Sequence, residues 1–149
     1  MTGIKLVLLA AVMIPPSITD IRERTISNLW PAALVLSGLV MVIVSSASEV
    51  WVSVGLAFLS AVILTALCRL ISKTGFGMGD VKLILGLAVF LGVSPFLKAM
   101  MLTGIGTLAA AIFLLVTKRA EKEDTLPLAP FLATGALLSV LLEWREGLL

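Results

Sequence analysis

"GFGMGDVKLILGLAVFLGVSP", residues 75–95, breaks an oily chain with three alternating glycines and a carboxylate, then returns to an apolar run. From Asp80 that run lasts roughly 14 residues. At about 1.5 Å each it gives only about 21 Å of helix against a bilayer core of about 30 Å. A helix so short that opens on an ionisable residue is expected to start below the membrane surface, with Asp80 inside protein or a wet cavity. The rest of the chain fixes the solvent. Of 149 residues 60% are hydrophobic and 13% charged, and the mean hydropathy is +1.17. A soluble domain of this length needs a polar surface that these residues do not make. The expected fold is therefore all-α, a polytopic integral membrane protein with about six transmembrane helices. The formal net charge of +2 is too slight to argue for a nucleic-acid partner.

Working outward, apolar runs occupy residues 3–18, 27–44, 50–71, 80–93, 95–117 and 126–144. Pro15 and Pro16 are expected to kink or stop the first helix. Ser94-Pro95 reads as an N-cap and first-turn proline opening the fifth. Lys5 and the apolar residues after it look like the start of a signal peptide. "PPSITD" stands where a small-residue cleavage site would be, so the segment is expected to stay as a first helix. Arg22, Arg24, Arg69, Lys73, Lys82, Lys118, Arg119 and Lys122 fall on one side, and Lys5, Lys98 and Arg145 on the other. Eight against three puts the first, third and fifth connections in the cytoplasm and both termini outside. No repeat or linker interrupts the sequence, and residues 1–149 read as a single transmembrane domain.

Cys68 is alone, so no internal disulfide and no paired-cysteine metal site is expected. The absence of histidine removes Ser–His and Cys–His catalysis and the usual zinc sites. Acid–base chemistry must then rest on carboxylates, lysine or a metal ion. Glu49, Glu143 and Glu146 belong to the outer ends, and Glu121, Glu123 and Asp124 to a polar loop. Glu23 sits between Arg22 and Arg24, where a surface ion pair accounts for it. Asp20 and Asp80 remain, both beside apolar segments on the cytoplasmic side. Two carboxylates held close share a proton, so one can draw a proton from water while the other donates to a scissile carbonyl. That is aspartic-protease chemistry, with no cofactor and no metal required. The glycines before Asp80 offer backbone freedom and let a substrate strand approach. Taken singly, each aspartate also fits a plainer role as a loop or helix-capping residue.

"DIRERTISN", residues 20–28, and "GMGDVKL", residues 77–83, together resemble the type IV prepilin peptidases, the bacterial branch of the Gly-x-Gly-Asp intramembrane aspartyl proteases. The first motif matches at Asp20, Arg22, Arg24, Ile26 and Asn28, the second at Gly77, Gly79, Asp80, Val81, Lys82 and Leu83. "LPLAPFLATGAL", residues 126–137, looks like the family's proline-containing last segment. The resemblance implies an enzyme of the bacterial inner membrane that cuts the basic leader from prepilin-like substrates at the cytoplasmic face. Asp20 and Asp80 would be its catalytic pair. Many relatives have Pro where Ser27 stands and Gly where Ala129 stands. Larger relatives carry a cysteine-rich cytoplasmic domain and also methylate the new pilin N-terminus. This chain resembles the compact, peptidase-only form of tight-adherence pilus systems, for which methyltransferase activity is not expected.

Around the pair, Arg22 and Arg24 suit lipid phosphates or the steadying of the first motif. Lys82 suits the interface or the tuning of the aspartates, and Gly104 and Gly106 suit close helix packing. Glu121, Glu123 and Asp124 read as a solvated loop, or as a receiver for a basic leader. A competing reading is a small transporter or channel component using Asp20 and Asp80 for ion binding or proton relay. A third is a non-enzymatic assembly subunit.

Overall fold

The computed structural model describes residues 2–45, 47–71, 77–117 and 126–146. These form six α-helices: α1 (Thr2–Glu23), α2 (Leu29–Ser45), α3 (Ser48–Ile71), α4 (Met78–Leu91), α5 (Val93–Val116) and α6 (Ala129–Glu146). No strand occurs among the described residues. In hydrocarbon every backbone amide must find its partner within the element, which a helix alone provides for a single open segment. Helices α1, α3 and α5 are long and apolar enough to cross a membrane, and α2 is a shorter apolar helix. Their outer faces carry Leu36, Val62, Ile105 and Phe113, all exposed.

The short α4 lies at the centre. Eight of its 14 residues, from Leu83 to Leu91, are buried, and α2, α3, α5 and α6 all pack against it. Protein rather than lipid thus surrounds the helix that is too short to span alone. The approach of α2 is at backbone distance. A Cβ on Gly38 would stand 2.8 Å from Phe90 Cα, and one on Gly86 would stand 2.9 Å from the Pro31 carbonyl oxygen. Small residues at both points let the helices close without side chains between them.

Three expectations change. First, α1 runs through Pro15 and Pro16 to Glu23 as one helix. Pro16 is buried, and the hydroxyls of Ser17 and Thr19 donate to the carbonyls of Met13 and Pro16 at 2.7 and 3.1 Å. The helix thus continues past two residues that give no amide donor, with Pro16 packed in the interior. Second, Ser94 is not the cap of α5. The helix starts after Gly92, whose φ of 80° suits glycine alone. The Val93 amide donates instead to Ser53 Oγ of α3, at 3.0 Å. Third, Gly104 faces open space, whereas a Cβ on Gly106 would meet Phe131 at 3.4 Å.

Candidate active site

Asp20 lies one turn before the end of α1 and is buried, with 7% of its surface exposed. Its Oδ2 accepts a hydrogen bond of 2.9 Å from the backbone amide of Ala129, the first residue of α6. The carboxylate therefore sits at a helix N-terminus, where unpaired amides and the helix dipole favour negative charge. Arg24 closes α1 through its amide, which donates to the Asp20 carbonyl at 3.1 Å. Its φ of 52° turns the chain sharply, a left-handed conformation that costs a non-glycine residue about 1–2 kcal/mol. The turn delivers Ile26 and Asn28 to the start of α4.

Asp80 is the third residue of α4 and is half-buried. It is not the cap, which falls on Gly77 without any side-chain bond. Its Oδ1 is buried and has no hydrogen-bond partner among the described residues. Its Oδ2 folds back over Gly77, where a Cβ would stand 3.0 Å away. Asp20 and Asp80 are near enough for the charge of one to act on the other. Both glycines make room for a neighbouring atom. Gly77 has an ordinary φ of −57°, and a Cβ on Gly79 would come within 2.9 Å of Ile26 Cβ. Thus Gly77 makes room for the Asp80 carboxylate, and Gly79 lets the first motif lie against the second.

A polar bond ties the same two stretches. Lys82 Nζ donates to Asn28 Oδ1 at 2.8 Å, on the exposed side of the junction. From α3, Arg69 Nη1 reaches Met78 Sδ at 3.1 Å. The sequence-predicted residues Asp20, Asn28, Gly77, Gly79, Asp80 and Lys82 therefore meet at one end of the bundle. Arg22 stands exposed in the last turn of α1, where its charge complements the helix dipole. Lys73, Gly75, Lys118, Arg119, Glu121, Lys122, Glu123 and Asp124 lie outside the described residues. Among those described, no group of three or more His, Cys, Asp or Glu gathers as a metal centre would.

Sequence reading missed Ala129. Its contribution is a main-chain N–H, which any residue but proline supplies, so side-chain chemistry gave no sign of it. The signal was indirect, in the small residue between Leu128 and Pro130.

The sequence model of the Type IV leader peptidase family matches residues 7–117. No curated protein and no solved structure matches the chain. The match spans most of the sequence and both aspartates, and the chain belongs to that family. Membership and the apolar helices together make it a membrane-bound peptidase.

Proposed function

We propose that this member of the family is a prepilin leader peptidase, an aspartic endopeptidase in which Asp20 and Asp80 activate the attacking water. The observation that carries the reading is that Asp20 and Asp80, from distant helices, lie near enough for the charge of one to act on the other, with Asp20 buried and Asp80 Oδ1 buried without a partner among the described residues. The chemistry asks one carboxyl of the pair to act ionised and the other protonated. The ionised member takes a proton from water as the oxygen attacks the scissile carbonyl. The protonated member donates to the carbonyl oxygen, and the C–N bond then breaks with a proton delivered to the leaving amine. The Ala129 amide and the N-terminus of α6 offset the negative charge of the pair.

A groove of about 440 Å³ adjoins the junction, with Asn28 and Lys82 at one end and Pro31, Val35, Phe58 and Leu85 along its walls. Its apolar walls beside a polar junction suit a substrate whose apolar helix follows a basic leader. Residues 1–149 act on this reading as one peptidase domain in the bacterial inner membrane, with the junction facing the cytoplasm. Arg22, Arg24, Arg69 and Lys82 gather at the junction end, which supports that orientation.

In proteoliposomes with a prepilin-type substrate, Asp20→Asn and Asp80→Asn each abolish leader cleavage while the protein still inserts. Full cleavage by either variant would end the two-aspartate reading. For orientation, a single cysteine placed in residues 118–125 is labelled by an impermeant maleimide only from the cytoplasmic face. Labelling from outside alone would reverse the topology.

A further inference from the structure

At the end of the bundle away from the aspartates lies a second cavity, of about 580 Å³, to which all six helices contribute. That is the size of a small-molecule site, which runs from roughly 300 to 1,000 Å³. Three charges line it, Lys5, Glu49 and Glu143, over apolar walls that include Val42, Val54 and Phe90. Two of the three oppose their helix dipoles. Lys5 is the fourth residue of α1, where a cation is disfavoured, and Glu143 is the fourth from the end of α6, where an anion is. Among the described residues none of the three is in an ion pair, although Lys98 and Glu146 at the same end form one at 2.7 Å. Charges placed against the dipole, and in no ion pair among the described residues, gain most from a ligand that brings both signs.

We propose that this cavity binds the headgroup of an aminophospholipid, its phosphate toward Lys5 and its ammonium toward Glu49 and Glu143. The lining carries one cation and two anions, which complements a zwitterion of adjacent phosphate and ammonium. Carboxylates accept N–H hydrogen bonds, so a primary ammonium is favoured over a quaternary one with no N–H to give. The apolar walls and the exposed Val44, Trp51 and Leu142 at this end select the lipid over the free headgroup. The proposal is independent of the peptidase reading.

The test uses the purified full-length chain in detergent, with lipid retention counted by native mass spectrometry. Phosphatidylethanolamine, its N-methyl and N,N-dimethyl forms and phosphatidylcholine, all with the same acyl chains, present three, two, one and no N–H donors. Retention falls stepwise along that series, by about tenfold or more from end to end. The double variant Glu49→Gln/Glu143→Gln flattens the series, and Lys5→Met weakens retention of all four lipids. Equal retention of the four by the unaltered chain would overturn the proposal, whatever the variants do. So would a slope that the double variant leaves unchanged. Displacement by soluble glycerophosphoethanolamine at equal concentration would overturn the lipid as occupant.

Discussion

The two ends of the bundle hold their polar residues in different ways. At the aspartate end, α1 is joined to α6 by a buried amide-to-carboxylate bond, and the α1–α2 connection to α4 by a close Gly79–Ile26 contact and the Lys82–Asn28 bond. At the other end, Lys98 and Glu146 meet in an ion pair with 33% and 65% of their side chains exposed, and other charges stand around open space. The first end has a geometry that one displaced atom would spoil, while the second tolerates movement. A polar group contributes according to how completely water is excluded from it: a buried unpaired group costs about 1–3 kcal/mol and an exposed ion pair contributes about 0–1.

This contrast breaks most readily at the aspartates. On the proposed mechanism, losing either carboxylate removes a proton carrier and should lower the cleavage rate by about a hundredfold to ten-thousandfold. Asp20→Asn/Asp80→Asn should be scarcely slower than either single variant, because the two act as a unit. Multiplicative losses in single-turnover cleavage would show two independent roles. Next comes Gly79→Ala, whose new methyl must displace Ile26. A shift of about 1 Å at a reacting group can lose about a hundredfold, and Ile26→Gly in the same chain, which removes the Cβ that the new methyl would meet, should restore most of the rate. A Gly79→Ala variant with full activity would show that this contact does not set the site.

Smaller effects sharpen the comparison. Lys82→Met and Asn28→Ala each remove one exposed hydrogen bond, worth about 1 kcal/mol or roughly fivefold in rate. The pair together should lose no more than either alone in the same assay. At the far end, Lys98→Met should leave cleavage unchanged and lower thermal stability by less than about 1 kcal/mol. A cleavage defect there would mean that the two ends are coupled.

Much of this arrangement was legible in the sequence because lipid makes few demands and makes them strictly. Six apolar runs became six helices, with boundaries moved by a few residues at most ends. The short run from Asp80 proved to be a central helix of 14 residues. Asp20 and Asp80 were legible because ionisable residues beside apolar segments are scarce. What stayed hidden depends on tertiary neighbours. The bond from Ala129 to Asp20 spans 109 residues, and nothing local marks its donor. Pro15 and Pro16 suggested a kink or an ending, and α1 does not end there; Ser53, not Ser94, meets the first amide of α5. Gly77 and Gly79 were read for backbone freedom and substrate approach, whereas the atoms lying where their side chains would be could not be seen in the sequence.

The Ala129–Asp20 bond also sets a clock. Asp20 leaves the ribosome in the first helix, whereas its partner amide follows 109 residues later, on the order of ten seconds at ordinary rates of synthesis. Through that interval the nascent chain carries one aspartate, then both, without the α6 amide that binds Asp20. The hydrogen bond on Asp20 thus cannot form until α6 is in place, so the burial of this carboxylate is completed long after its own helix is made.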